Sequence, residues 1–422
     1  MKAAFYESDI TPPLGCYMSG SFKDRRAEDV YNKLYSKALV LEQDGQFVAL
    51  ISVDICEYPE EMHDLVTKRI FEYTGIAPEC VCITATHTHH GAPVSDNPDI
   101  NCFGDSSYKD VFFRLVADSA ILAYKRLRES KILFGTTQVP GIGNCRTNLL
   151  KDGTIATHAP AEKIECKLAE PDHELPVIFI EQDGKKVGAF YAFGCHQDTA
   201  GTKPQGYTGD YSSIVSELLK QKYGSDFVSI YVPAPCGDVN HINQYEAPEH
   251  RKRYREIGAL LAEGIIKTEA DSVYIDGNLT VQKESLRIAK RKYDDEQFKE
   301  MVIKLAKMGT KGRIGNLVYY HRTDKTDFAD LYVQLITIGD LAIYIYPGEI
   351  FSQYSHRTKK HSPFKYNMVV EMSNAHAGYI PTPDMFRPNS NLYETSLAYH
   401  SNLVPEAGEI LYKNLMNMAN KK

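Results

Sequence analysis

Apolar positions fall along this chain in short runs, some alternating with polar residues and others unbroken. Residues 38–43 (ALVLEQ) and 47–55 (FVALISVDI) are strand-like runs split by Asp44-Gly45, and that dipeptide predicts a hairpin. A second hairpin is predicted over 175–182 and 187–193, turning at Asp183-Gly184. Helical spacing covers 59–74, 108–129, 210–223, 249–267, 295–307, 349–360 and 403–419. Further strands are expected at 80–86, 131–137, 227–233, 330–338, 341–346 and 367–373. Strands alternating with helices, together with hairpins, predict an α/β fold of mixed sheets flanked by helices.

One arrangement recurs three times: a strand, a helix, a second strand, then a polar loop. FVALISVDI leads through a helix to CVCITAT and then HTHHGAP. VGAFYAF, followed by GCHQDTAG, leads to FVSIYVP and then APCGDVNHIN, and LAIYIYPGEI leads to NMVVEMS and then NAHAGYIPTP. Ligands of α/β sheets bind outside the carboxyl ends of strands. The three units are therefore expected to build one shared site from these loops.

Composition narrows the function. Lys and Arg number 48 against 55 Asp and Glu, a net charge of −7, so the basic stripe of a nucleic-acid binder is missing. With 43% apolar and 24% charged residues the chain is globular, and no apolar run reaches the length of a membrane span. Nine cysteines, an odd number without a C-x-x-C pair, make a poor disulfide framework, so a cytoplasmic setting is expected.

The strongest chemical signal is Thr86-His87-Thr88-His89-His90-Gly91-Ala92-Pro93. In an extended segment residues i and i+2 share a face, so His87 and His89 would point into one pocket, as a zinc pair or as an exposed polar turn. His196 closes another apolar strand, Glu349 follows LAIYIY, and His376 and Tyr379 share a later loop. Taken singly, Glu349 reads as a first-turn helix glutamate favoured by the helix dipole. Arg146 is a carbonyl clamp or a surface partner, and Gly237-Asp238-Val239-Asn240-His241 is a candidate Asx turn. Walker A, G-x-G-x-x-G and G-x-S-x-G patterns are absent.

SDITPP, THTHHGAP, His196, Gly209-Asp210-Tyr211-Ser212-Ser213, CGDVN, YPGEIFSQYSHR and NAHAGYIPTP followed by LYETS run in one order from about residue 8 to residue 396. In that order they resemble the neutral/alkaline ceramidase family, zinc hydrolases of an N-acyl amide. The resemblance implies one zinc ion per chain on His87, His196, Glu349 and Tyr379. It places His89, Arg146 and Tyr393 around the scissile carbonyl, with Asn240 where the family usually carries a serine. It also implies a single catalytic domain over 1–422 without the C-terminal sandwich domain of longer members. Asn240 leaves a metal-activated water as the nucleophile. The absence of Trp and of an apolar amphipathic stretch points away from membrane docking, hence from long-chain ceramide. The expected function is hydrolysis of a small polar amide. The alternatives are an esterase or lactonase acting on a sugar-acid-like substrate, a true ceramidase, and a non-catalytic protein that binds a ligand in the inherited pocket.

Overall fold

The computed structural model describes residues 1–21, 25–59, 61–94, 104–201, 205–375 and 377–421. His376 lies outside the described residues. The fold is mixed α/β, and its three main sheets repeat one plan. In the first, β1 (Lys2–Asp9), β2 (Tyr35–Gln43) and β3 (Gln46–Val53) run antiparallel. Helix α1 (Met62–Thr74) then crosses to β4 (Val81–Ala85), which pairs in parallel with β3, and α2 (Ser106–Tyr124) follows.

The second sheet has β5 (Lys131–Gln138), β6 (Glu174–Gln182) and β7 (Lys185–Phe193) antiparallel. Helix α3 (Tyr211–Tyr223) leads to β8 (Val228–Pro233), parallel to β7, and α4 (Tyr254–Thr268) follows. In the third sheet β9 (Leu279–Ala289) is separated from β10 by two helices, α5 (Asp295–Lys307) and α6 (Lys311–Thr323). Strands β10 (Phe328–Ile338) and β11 (Leu341–Ile345) complete the antiparallel part. Helix α7 (Gln353–His361) crosses to β12 (Tyr366–Val370), parallel to β11, and the last described helix is α8 (Ala407–Ala419).

The two predicted Asp-Gly turns are present. Asp44, Gly45, Asp183 and Gly184 all take positive φ, the geometry that closes a two-residue hairpin with the twist of its strands. Side-chain alternation explains how the sheets pack. On β3, Val48 and Leu50 face a core shared by all three sheets, while Ala49, Ile51 and Val53 face α1 and α2. On β7, Phe190 and Ala192 join the shared core, while Ala189, Tyr191 and Phe193 pack with α3 and α4. On β11, Leu341, Ile343 and Ile345 join it, and Ala342 and Tyr344 pack with α7 and α8. Strands buried on both faces read as unbroken apolar runs, as these do in the sequence.

Two expectations change. Residues 349–350 do not begin a helix. They form a two-residue strand paired in parallel with Tyr379–Ile380, and α7 starts only at Gln353. The helix expected over 108–129 spans Ser106–Tyr124, and residues Arg128–Glu129 pair with β1 instead. Among the described residues no helix is long and apolar enough to cross a membrane.

Candidate metal centre

The carboxyl ends of β4, β7, β8, β11 and β12 come together because the loops beyond them are stitched by backbone hydrogen bonds. Asn374 N–H donates to the Ile83 carbonyl at 2.8 Å, Glu371 N–H to Pro233 at 2.9 Å, and Gly237 N–H to Ile350 at 3.1 Å. The parallel pair places Glu349 directly opposite Tyr379. His87 follows β4 with φ +65°, a left-handed conformation uncommon for a non-glycine residue and a form of strain found at functional sites. The segment therefore turns rather than staying extended. His87 and His89 still converge, with their Nε2 atoms 3.3 Å apart.

Each proposed histidine ligand is oriented by a backbone carbonyl. His87 Nδ1 lies 2.7 Å from the Cys56 carbonyl, and His196 Nδ1 lies 3.1 Å from that of Cys236. A carbonyl only accepts, so both rings carry their proton on Nδ1 and present a lone pair at Nε2. Those two lone pairs face Glu349 Oε2, at 3.4 Å from His87 and 3.1 Å from His196. Glu349 Oε2 is buried and has no hydrogen-bond donor. With a cation at the centre, both Nε2 lone pairs and the Glu349 carboxylate would point at it; without one, a proton on either imidazole pairs with the carboxylate. The Tyr379 hydroxyl lies beside them, 3.3 Å from His196 Nε2. His87, His196 and Glu349 could hold a metal ion. A second grouping, Cys56 with His87 and His89, is weaker because the Nδ1 of His87 is already committed to a carbonyl.

Burial by itself would raise the Glu349 carboxyl, but His87 and His196 beside it hold it well below the usual carboxylate range. Burial and then His87 push His89 well below its ordinary value, so it stays neutral. Burial and the Glu349 charge raise the Tyr379 phenol, while Arg146 opposes them.

The cluster opens into a cavity of about 210 Å³. His87, His89, Arg146, His196, Glu349, Tyr379 and Tyr393 all line it. Asn240 does not: its amide donates to Asp198 at 2.9 Å and its carbonyl accepts from Ile242 N–H, so it braces the loop that carries His196. Arg146 is anchored on two sides, with Nε 2.7 Å from buried Glu394 and Nη2 donating to the Gly237 carbonyl at 2.8 Å. Its guanidinium also lies 5.4 Å from the centre of the Tyr379 ring. Gly20, at φ +80°, abuts the His89 imidazole, where any Cβ would collide with the ring. The sequence reading missed Glu57, Asn316, Tyr399 and His400, which also line the cavity. A larger cavity of about 500 Å³ lies behind Thr86, lined by Lys37, Asp54 and Ser229. It contains no candidate ligand set, and its Lys37 and Asp54 are already engaged by Ser216 and by Tyr35 N–H, so the smaller cavity is the chemical one.

Comparison with solved structures accounts for the architecture. Neutral ceramidase from Pseudomonas aeruginosa superposes with a TM-score of 0.75 at 15% identity, over 99% of this chain and 74% of that one. The fold is that of neutral ceramidase. A structure of ceramidase complexed with C2 superposes with a TM-score of 0.77 at 16% identity, with the same coverage of both chains. No family model and no curated protein matches the chain. The chain and these two structures share one fold at 15–16% identity.

Proposed function

We propose that the chain is a zinc-dependent hydrolase of small, polar N-acyl amides, with residues 1–422 acting as one catalytic unit. The observation that carries this reading is the meeting of two imidazole lone pairs with the donorless oxygen of Glu349 in a cavity. His87, His196, Glu349 and Tyr379 would hold one ion per chain. Zinc bound there would polarise a carbonyl and bring the pKa of a water toward about 7.

The chain's own residues do the rest. His89, with Nε2 3.3 Å from His87 Nε2, stands where it would take a proton from the attacking water and deliver it to the leaving nitrogen. Arg146, fixed by Glu394 and Gly237, and Tyr393 face the developing oxyanion, a contribution worth about 3 kcal/mol in comparable sites. Water adds to the carbonyl carbon, the C–N bond breaks, and an acid and an amine leave. Asn240 acts at one remove, through Asp198.

Cavity size and lining support a small substrate. At about 210 Å³ the cavity lies below the roughly 300–1,000 Å³ of drug-sized ligand sites, and among the described residues no aliphatic side chain lines it. Among the described residues a long acyl chain would find little room and no aliphatic wall. The test is a panel of N-acetyl, N-octanoyl and N-palmitoyl amides with matching esters. Turnover of the acetyl amide, falling at least about tenfold by octanoyl, is expected. Preference for palmitoyl would return the reading to a true ceramidase, and turnover of esters alone would make it an esterase.

A further inference from the structure

The face of the first sheet that enters the shared core changes character at one end. On the paired strands β2 and β3 that face runs Leu41, Leu39, Lys37 beside Val48, Leu50, Ser52, and the register sets Lys37 opposite Ser52. The apolar packing stops there, and the cavity of about 500 Å³ behind Thr86 begins. Exposed Val30, Lys33 and Glu217 form its mouth, and buried Ser52, Thr86, Ser229 and Tyr231 form its floor. Its volume lies within the roughly 300–1,000 Å³ of small-molecule sites. Among the described residues it shares no wall residue with the metal-site cavity.

Among the described residues, all five charged side chains on this wall are engaged within the protein. Lys37 donates to Ser216 Oγ at 3.0 Å and to the Ser229 carbonyl at 3.2 Å. Lys220 pairs with Glu7, and Lys33 with Asp9 at 2.8 Å. Asp54 accepts from Tyr35 N–H at 2.8 Å, and Glu217 accepts from Asn32. A hydroxyl is left over on the floor: Ser229 Oγ, on a residue only 2% exposed, has no hydrogen-bond partner. Buried polar atoms left bare cost free energy, and each such exception calls for a ligand or water that supplies the bond. At the mouth the Tyr31 ring is seated on Gly206, where any Cβ would collide with it. The cavity thus sets a held aromatic ring at its entrance and an unspent hydroxyl at its base.

We propose that this cavity is a second binding site, for a neutral polyhydroxylated ligand the size of a sugar. The inference stands apart from the hydrolase reading. A sugar hydroxyl donates and accepts at once, as Ser229 Oγ does, and the C–H face of a sugar ring packs on an aromatic side chain. An anion would find every lysine already paired, and a cation would find both carboxylates occupied. An apolar ligand would leave Ser229 Oγ bare.

Isothermal titration calorimetry on the zinc-loaded chain tests this with glucose, N-acetylglucosamine, myo-inositol and trehalose. Glucuronate, glucosamine and cyclohexanol serve as anionic, cationic and apolar controls. At least one neutral polyol is expected to bind with Kd below about 1 mM, and each control at least about tenfold more weakly. Ser229→Ala, which removes only the hydroxyl, and Tyr31→Ala, at the mouth, should each weaken that binding about tenfold. Glu349→Ala should leave it unchanged, since the metal site takes no part. Absence of such binding, controls that bind equally well, or affinity untouched by both wall variants overturns the second site. Binding that disappears in Glu349→Ala also overturns it, because the ligand then sits in the metal-site cavity. The hydrolase reading stands or falls separately, on turnover.

Discussion

A buried guanidinium needs a counter-charge, and Arg146 has one in Glu394, which is itself fully buried and accepts a 2.6 Å hydrogen bond from Thr157. Removing one partner strands the other charge in the interior, at a cost of about 3–5 kcal/mol. Glu394→Ala should therefore lower unfolding stability by that amount in urea titration, and the double variant Arg146→Met with Glu394→Leu should recover much of it. A loss under about 1 kcal/mol in Glu394→Ala would mean that the pair does not hold this wall. His90 offers a pH test. Its Nε2–H donates to the Gly201 carbonyl at 2.7 Å, and burial pushes its pKa down to about 4 from 6.5. Below pH 6.5 the unfolded chain takes up a proton there that the folded chain refuses. Its contribution is full above pH 6.5 and declines toward pH 4, by roughly 3 kcal/mol. In metal-free protein the stability gap between parent and His90→Gln should shrink by that amount from pH 7 to pH 4, and a constant gap would contradict the assignment. At this scale the sequence revealed the residues that stand in a motif. It did not reveal Asn316 and His400, which line the cavity but stand in no motif, nor that the Asn240 amide is consumed by Asp198.

Glu349 shows how an element decides a residue's role. By helical spacing it is a first-turn glutamate. In the structure Gly348 takes φ +63° and the following pair joins Tyr379–Ile380, which turns the carboxylate toward the histidines. A closely packed glycine supports this short strand from behind: a Cβ on Gly237 would lie 2.3 Å from the Glu349 carbonyl oxygen. Gly237→Ala changes no proposed ligand but must displace Glu349. Metal affinity should fall about 10–100-fold, as for losses of supporting groups around metal ligands. Unchanged zinc affinity in that variant, measured by chelator competition, would show that the strand does not aim the carboxylate. Strand β1, helix α6 and strand β9 escaped sequence analysis. Helix α6 (KGRIGNLVYYHRT) carries two glycines, weak helix formers, and owes its form to packing of Leu317 and Tyr320. Strand β9 is partly exposed and has charged residues in its middle, which blurs its alternation.

For the whole molecule, three copies of one plan, a hairpin followed by a strand–helix–strand crossover, face a common core and send their loops to one end. That plan was legible in the sequence because strands buried on both faces leave unbroken apolar runs and because Asp-Gly turns mark two of the hairpins. How the three units face one another was not legible, since it depends on side-chain alternation summed over three sheets and on bonds such as that from Asn374 to Ile83. The central claim is that loops from all three units converge on one ion. The most direct measurement is zinc content by mass spectrometry after metal loading, for the parent beside His87→Ala and Glu349→Ala, each checked for folding by circular dichroism. The account predicts about one zinc per chain in the parent and loss of it in both variants. A folded parent that takes up no zinc, or folded variants that keep a full equivalent, would contradict it.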